Sequence, residues 1–490
     1  SIEAWPPSLA LWLVLAAAAM VSKRASWAHR IRGAATTTLL VRALGGVNAT
    51  ASLAVLILPL IWILTAPRNS RAFRVVIIWL TAAILGALWW LLPLFILGGF
   101  GYPFLDYIET SKITTAVTSL PNALRGTDHW IAFILDGAGH PVWQSGWVQA
   151  QYILAIVSGL VVAGFGVYGL MILRTRRDLS HAARFLYLSL LVGLVLVSIG
   201  YSGTPGSPVS SVVREFLDGV GAPFRNVHKF DPLIRLPIAF GFVYGVRHLL
   251  EHRRKVAHAI GVAGLVFALL SPTALWVGRI GDANAFVAVP ESWVTTAELI
   301  DEMASVNGGS TLVLPHARNA EMTWGKVSDE PLVALAKSPV VLRAAAPLGH
   351  PGAVRLLDAI DLVAGEGLGS PALAPALNRM GIARVVVRSD VSSSIRMHDP
   401  AKVEQSLMNS PGFTLVERVS DEISIWSVQS TSLSGATLYK HDQLLNVDGS
   451  PEALLWGLQA GVIDSSRPTA TAPGVLSAQL RTDTFRWTTW

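Results

Sequence analysis

VVIIWLTAAILGALWWLLPLFILG, residues 75–98, contains no charged side chain and is long enough to cross the hydrocarbon core of a bilayer as one helix. The 490 residues are 52% hydrophobic and only 14% charged, whereas soluble chains carry about 25% charged residues. We therefore predict a polytopic α-helical membrane protein with about eight membrane helices in residues 1–280. The other apolar stretches lie at 8–22, 49–66, 152–174, 184–201 and 257–277, with weaker ones at 31–46 and 235–250.

Four short basic clusters flank the apolar stretches and set the predicted orientation. Placing all four in the cytoplasm satisfies the positive-inside bias. It puts the loops 99–151 and 202–234 and the tail from 280 onward on the outside, with an outside turn at 45–48. Topology explains the clusters without nucleic acid and more simply than docking of anionic lipid or of an acidic cytoplasmic protein, which stays an alternative. The clusters are Lys23, Arg24, Arg30 and Arg32; Arg68, Arg71 and Arg74; Arg174, Arg176, Arg177 and Arg184; and Arg253, Arg254 and Lys255.

Beyond about residue 285, short β-branched runs alternate with helical patterns, which predicts an α/β domain over residues 281–430. Residues 431–490 are predicted to be a linker and the start of a further outside domain. The chain begins without Met and ends without a closing signal, so we expect an internal fragment of a longer protein. The predicted strands lie at 311–314, 340–342, 384–387 and 423–426, and the predicted helices at about 293–306, 353–364 and 372–380.

The first outside loop carries two carboxylates directly after a membrane helix. Asp106 and Glu109 are three residues apart, so on a helix they share a face. A carboxylate there suits a general base that removes a proton from a sugar hydroxyl, and equally a solvated loop or a helix cap. Asp128, His129 and Trp130 follow in the same loop and suit sugar binding, although the tryptophans of this loop also suit the interfacial aromatic belt.

The second outside loop carries four potential cations: Arg225, His228, Lys229 and Arg235. They lie on the side of the membrane where the positive-inside bias does not ask for them. A lipid-linked phosphate at the outer leaflet needs cations that bind it and stabilise it as a leaving group. Contact with lipid headgroups is the alternative, and Asp231 can also pair locally with Lys229 or Arg235.

Five motifs in this order resemble the mycobacterial α-(1→3)-arabinofuranosyltransferase D family of C-type glycosyltransferases, over about residues 40–430. The resemblance rests on the order of these motifs and on their membrane context. The motifs are Gly45-Gly46-Val47-Asn48-Ala49, Phe104-Leu105-Asp106-Tyr107-Ile108-Glu109, Arg125-Gly126-Thr127-Asp128-His129-Trp130, Asn226-Val227-His228-Lys229-Phe230-Asp231-Pro232, and Thr323-Trp324-Gly325 with Asp329-Glu330-Pro331.

The resemblance implies a membrane glycosyltransferase whose donor is decaprenyl-phosphoryl arabinofuranose at the outer leaflet. The acceptor would be an arabinan of arabinogalactan or lipoarabinomannan, and the product an α-(1→3) branch formed with inversion by single displacement. Glu109 is the first choice for the base or for acceptor binding, with Asp106 second, and Arg225, His228 and Lys229 would bind the phosphate. The implied location is the bacterial plasma membrane, with the α/β domain on the periplasmic side.

The sequence also bears on the completeness of the catalytic set and on two alternative functions. C-type enzymes commonly place a functional acid in the first outside loop, and the family is longer at both ends, so we expect an incomplete catalytic set in this chain. A transporter or flippase of lipid-linked sugars would favour charged or Gly/Pro-broken positions inside the helices, which are nearly free of charge here. A non-catalytic cell-wall scaffold with a sugar-binding domain is not excluded. With no cysteine, and with His316 and His350 standing apart, we predict no metal site.

Overall fold

The structure is a computed structural model that describes residues 5–22, 25–46, 48–67, 72–101, 108–136, 139–281, 285–317, 320–344, 349–392, 396–429, 440–472 and 479–481. By its internal contacts the chain divides into two compact units. We refer to residues 1–101 and 109–283 as the helical unit, and to residues 102–108 and 284–490 as the α/β unit.

The helical unit is built on eight helices of twelve or more residues in its described part. Four of them, α4 to α7, are long and apolar enough to cross a membrane. α1, α3 and α8 are apolar but shorter, so their crossing, like that of α2, stays a prediction. The helices are α1 (Ala10–Val21), α2 (Trp27–Leu44), α3 (Ala49–Thr65), α4 (Ala72–Gly98), α5 (Ile153–Thr175), α6 (Ser180–Ser198), α7 (Pro232–Leu250) and α8 (Lys255–Leu270).

Local sequence sets the helix ends around the predicted turn at 45–48. α2 ends where Gly45 takes a φ of 69°, a conformation that glycine adopts without strain. Asn48 then caps α3, because its side chain accepts a hydrogen bond from the backbone N–H of Ala51 at 3.0 Å. Val47, between them, lies outside the described residues. The two helices therefore meet at the turn that the sequence predicted.

Glycines hold α5 and α7 close together. Gly166 and Gly169 of α5 face Gly241 and Gly245 of α7, and a Cβ added to Gly169 would lie only 1.7 Å from the carbonyl oxygen of Gly241. Small residues let helix backbones approach in a bilayer, where van der Waals contact rather than water exclusion drives association. This packing sets the position of α7 against α5.

The α/β unit contains a mixed five-stranded sheet in the order β4-β1-β5-β7-β6. β1, β4 and β5 run parallel, and β7 and β6 are antiparallel to their neighbours. β5 is buried along its whole length, as expected of an inner strand covered on both faces. The strands of this unit are β1 (Ser310–Leu314), β2 (Ala320–Met322), β3 (Gly325–Ser328), β4 (Val340–Val341), β5 (Ile382–Arg388), β6 (Phe413–Ser420), β7 (Ile423–Val428), β8 (Leu445–Asp448), β9 (Thr469–Ala472) and β10 (Leu480–Arg481).

The predicted fold class, a polytopic helical bundle followed by an α/β domain, is confirmed for the described residues. All four predicted strands are present as β1, β4, β5 and β7, and the three predicted helices correspond to Glu291–Asn307, Pro351–Gly365 and Leu373–Arg379. The sequence reasoning missed β6 and the helix Pro400–Asn409. It also missed the β2–β3 hairpin around Thr323 and Trp324.

The described residues after 439 do not form a core of their own. β8, β9 and β10 make a parallel three-stranded sheet, and the helix Ala453–Gln459 lies between β8 and β9 in the chain. Leu445, Val447 and Leu455 belong to the same buried core as Val385 of the main sheet. This segment was predicted to start a further domain, whereas its described part completes the α/β unit. The first residues of the predicted linker, 431–439, lie outside the described residues.

Candidate functional site

Two long loops of the helical unit meet at one end of the bundle. The first connects α4 to α5 and the second connects α6 to α7. Ser111 donates from its backbone N–H and its hydroxyl to the carboxylate of Asp218, at 2.8 and 2.6 Å. Thr114 donates to the carbonyl of Arg225 at 2.8 Å, and Thr50 at the start of α3 donates to the carbonyl of Pro223 at 2.5 Å. Three segments that the sequence placed on the outside thus share one end of the unit.

A cavity of about 780 Å³ lies beneath these loops. Its walls come from the start of α1, from α3 and from the first turns of α7. Most of the wall is apolar, while the loop residues supply a polar side. The apolar lining includes Pro7, Leu11, Ala51, Ile131, Leu236 and Ala239, and the polar and aromatic lining includes His129, Trp143, His228, Lys229, Asp231 and Arg235.

His129 and His228 stack within this lining. Their ring centroids are 3.8 Å apart with 30° between the planes, and Trp143 meets His129 edge-on at 5.1 Å. His129 was predicted to bind acceptor and His228 to bind phosphate. The structure brings these two residues together from different loops and sets Lys229 beside them in the same lining.

Arg235 ties the polar side of the cavity to the first loop. It donates to a carboxylate oxygen of Asp231 at 3.1 Å and to the carbonyl of Leu124 at 2.7 Å, and it also donates to the carbonyl of Ala123. Arg235 thereby donates to two of the last carbonyls of the short helix Leu120–Arg125, where a helix end leaves carbonyls without intrahelical partners. It lines the cavity with much of its donor capacity already used.

Asp128 is buried next to this ion pair and lies outside the cavity lining. Only 2% of it is exposed, and its Oδ2 has no hydrogen-bond partner among the described residues. Burial, followed by repulsion from Asp231, raises the pKa of Asp128 well above its ordinary value, while Arg235 opposes this. Burial likewise raises the pKa of Asp231, again against Arg235. The structure thus places Asp128 in this charge cluster, and its sugar contact stays a prediction.

Arg225 lies outside the cavity lining as well. Its guanidinium is buried, donates to the backbone carbonyl of Glu109 at 2.5 Å, and pairs with Asp218 at 3.4 Å. These are the contacts of a residue that joins the two loops. The structure thus gives Arg225 that role, and its contact with phosphate stays a prediction.

Glu109 lies outside the cavity lining and is held from the second loop through Asn226. The amide nitrogen of Asn226 donates to Oε1 of Glu109 at 2.5 Å, and its amide oxygen accepts from the indole of Trp130 at 2.9 Å. A predicted base and a predicted acceptor residue are thereby connected by a residue to which the sequence assigned no role. Asp106, the second predicted carboxylate, lies outside the described residues.

The α/β unit has a polar cluster of its own, where β1 and β5 end. His316 follows β1, is 4% exposed, and donates its backbone N–H to Asp361 at 3.0 Å. Nε2 of His398 lies 3.4 Å from the same carboxylate. Burial lowers the pKa of His316 to about 3, with Arg343 and Arg388 adding to the effect. Burial raises the pKa of Asp361 to about 6.

The motif residues Trp324 and Glu330 contribute to the same region. The indoles of Trp293 and Trp324 both donate to Asp390, at 2.7 and 2.8 Å, and Glu330 forms a buried ion pair with Arg388. These contacts account for the motif through structure alone. In the part of the chain that the structure describes, no group of three or more His, Asp or Glu side chains is placed to hold a metal ion.

The fold and the site define a class: a polytopic membrane protein of the C-type glycosyltransferase architecture, with its loops gathered over a cavity at one end of the bundle. The family model described as α-(1→3)-arabinofuranosyltransferase, N-terminal GT-C domain, matches residues 1–488. The chain belongs to this family.

Curated relatives and solved structures agree with that assignment. The chain is 33% identical to an α-(1→3)-arabinofuranosyltransferase of Mycobacterium tuberculosis over 93% of its length and 35% of the relative's. It is 35% identical to the one of Mycolicibacterium smegmatis over 86% of its length and 30% of that relative's. The cryo-EM structure of the arabinofuranosyltransferase AftD from mycobacteria superposes with a TM-score of 0.74 at 27% identity, covering 98% of this chain and 34% of the other. The chain thus spans about a third of the length of these relatives.

Proposed function

We propose that this chain supplies the donor-binding cavity and part of the catalytic set of a membrane arabinofuranosyltransferase. Its donor would be decaprenyl-phosphoryl arabinofuranose, and its acceptor an arabinan of arabinogalactan or lipoarabinomannan that gains an α-(1→3) branch. The cavity is the observation that carries the proposal. Apolar walls from membrane helices suit a polyprenyl chain, and the side lined by His228, Lys229 and Arg235 suits its phosphate.

In the proposed reaction, a hydroxyl oxygen of the acceptor attacks C1 of the arabinofuranose. The bond from C1 to the phosphate oxygen breaks, and decaprenyl phosphate leaves with the electron pair. Glu109 takes the hydroxyl proton as general base. One displacement inverts C1, so no covalent sugar–enzyme intermediate is required. Cationic groups at the phosphate, Lys229 first among them, stabilise the charge that develops on the leaving group.

Transfer by the full-length parent protein in membranes, with single substitutions in this part of it, tests this assignment. Glu109→Gln removes the proposed base at almost unchanged size, and kcat should fall roughly 10²- to 10⁴-fold while the donor still binds. Lys229→Ala removes a phosphate contact, and the donor should bind about 10-fold or more weakly. The assay supplies a short polyprenyl-phosphoryl arabinofuranose and an arabinan oligosaccharide, and it measures product and donor binding separately.

Matched controls come from the same two loops. Glu215→Gln and Lys112→Ala make the same chemical changes at exposed positions outside the cavity lining, and both should retain activity. Full activity of Glu109→Gln would show that another residue is the general base. Absence of product from the wild-type protein with every arabinan acceptor would contradict the proposed donor or reaction.

We also propose that the protein lies in the plasma membrane with both loops and the α/β unit on the periplasmic side. The chain has no cysteine, so single cysteines can report the side. Ser202→Cys in the second loop and Ser305→Cys in the α/β unit are at exposed positions, as is Ser180→Cys beside a basic cluster. A membrane-impermeant maleimide should label the first two in intact cells and the third only after permeabilisation. Labelling of Ser180→Cys in intact cells would indicate the opposite orientation in the membrane.

A further inference from the structure

We infer that Asn226 is a positioning residue that gives the two carboxylate oxygens of Glu109 different tasks. It holds Oε1 as a hydrogen-bond acceptor and leaves Oε2 as the oxygen that takes the proton of the acceptor hydroxyl. The inference deepens the proposed function and rests on the role of Glu109 as base. The juxtaposition that carries it is the chain of contacts from Trp130 through Asn226 to Glu109.

The chemistry of the three partners fixes the orientation of the Asn226 amide. An indole N–H can only donate, so Trp130 must face the amide oxygen. That leaves the NH₂ group facing Glu109, whose ionised carboxylate can only accept. A flipped amide would set donor against donor at Trp130 and acceptor against acceptor at Glu109. Both ends of the chain of contacts therefore favour the same orientation, at distances of 2.9 and 2.5 Å.

The neighbouring residue holds the backbone of Glu109. Arg225 donates to the Glu109 carbonyl at 2.5 Å, is itself buried, and is paired with Asp218. Two consecutive residues of the second loop thus form hydrogen bonds with Glu109, Arg225 with its main chain and Asn226 with its side chain. Among the residues that the structure describes, Arg225 contacts the Glu109 main chain and is paired with Asp218.

The consequence concerns the two carboxylate oxygens. Oε1 is engaged by Asn226, whereas no hydrogen bond to Oε2 is formed by the residues that the structure describes. When Glu109 accepts a proton at Oε2, the bond from Asn226 to Oε1 is kept. Proton transfer then needs no rotation of the side chain, and preorganisation of this kind raises the rate of the chemical step without changing donor affinity.

The test is the pH dependence of transfer in membranes containing the wild-type protein, Asn226→Asp and Trp130→Phe. Asn226→Asp keeps the shape and the acceptor for Trp130 but sets a second carboxylate against Oε1. The ionised form of Glu109 is then disfavoured, so the acid limb of the kcat profile should move up by about one pH unit. At pH 7 kcat should fall about 10- to 100-fold, with the KM for donor unchanged.

A matched control and a milder variant keep the result interpretable. Asn48→Asp makes the same change at the cap of α3, where aspartate caps equally well, and its pH profile should match the wild type. Trp130→Phe removes the indole donor, together with part of the ring, and frees the Asn226 amide to turn, so kcat should fall about 3- to 10-fold at constant donor KM. Trp130→Phe still tests the positioning role if the Asn226→Asp protein fails to accumulate.

The outcomes separate the inference from the function on which it rests. An active wild type with an unshifted acid limb in Asn226→Asp, or with Trp130→Phe equal to wild type, overturns the positioning role and leaves the enzyme assignment standing. A wild type that makes no product from a polyprenyl-phosphoryl arabinofuranose overturns the proposed function itself.

Discussion

Replacing Gly169 by alanine should force α5 and α7 apart. The added Cβ would lie 1.7 Å from the carbonyl oxygen of Gly241 and 2.5 Å from the amide nitrogen of Gly245. Carbon and carbonyl oxygen pack no closer than about 3.3 Å, so the helices must separate by on the order of 1.5 Å here. Both opposing atoms are main chain, so no side-chain rotation relieves the clash. We expect a loss of about 1–3 kcal/mol in stability, as for other overpacked sites.

The same helix offers the control. A Cβ added to Gly164 meets no atom within 4 Å, and alanine in an exposed helix position is favoured over glycine by about 0.5–1 kcal/mol. Gly164→Ala should therefore melt at or above the wild-type midpoint, and Gly169→Ala several degrees below it, at about 2–4 °C per kcal/mol. Tryptophan fluorescence and gel filtration of the protein in detergent measure both. A Gly169→Ala protein as stable as Gly164→Ala would refute the close approach of α5 and α7.

Three further results are expected. His316→Gln should reduce the acid destabilisation of the α/β unit. Because the pKa of His316 is lowered to about 3 in the folded state, the unfolded state takes up a proton first as the pH falls below 6.5. The wild type should therefore lose about 2 kcal/mol of stability between pH 7.5 and pH 5. Asp361, with its pKa raised to about 6, offsets part of that loss in the wild type, and hydrogen exchange of β1 and β5 peptides at the two pH values measures the balance. Gly126→Ala should cost about 1–2 kcal/mol of thermal stability, because φ is +76° and the new Cβ would press on the Arg235 guanidinium at 3.3 Å; an unchanged melting midpoint would contradict it. Trp324→Phe should speed exchange in β5 by leaving a buried carboxylate with one indole donor fewer, a loss of about 1–3 kcal/mol, and unaltered protection would argue against that role.

The elements predicted from sequence are those whose side-chain pattern follows from burial. α4 is an uninterrupted apolar run, and β5 is a β-branched run because both faces of an inner parallel strand are covered. β6 gave no such signal, since it is the edge strand and most of its side chains are exposed. The helix Pro400–Asn409 was within reach: Asp399 caps it, Pro400 occupies its first position, and Val403 and Leu407 form its buried stripe.

The candidate site was predictable in its composition but only partly in its roles. Charge and position suggested that the second loop gathers cations, and His228, Lys229 and Arg235 do line one cavity. Charge alone does not distinguish a cation that binds phosphate from one that joins two loops, because the contact of Arg225 with the Glu109 carbonyl comes from another loop. Asn226 escaped notice for the same reason. A neutral amide becomes informative only when the groups on both sides of it are known.

The hydrogen bonds from Arg225 and Asn226 to Glu109 can form only late in the synthesis of the protein. Arg225 and Glu109 are 116 residues apart in the chain. At roughly 5–20 residues per second, the ribosome finishes Glu109 on the order of ten seconds before Arg225 exists. During that interval α5 and α6 are still being synthesised and inserted, and the first loop lacks the partners that hold its carboxylate. The site is thus completed only after the second loop has been synthesised. Until then, the nascent chain contains Glu109 without the residues that position it.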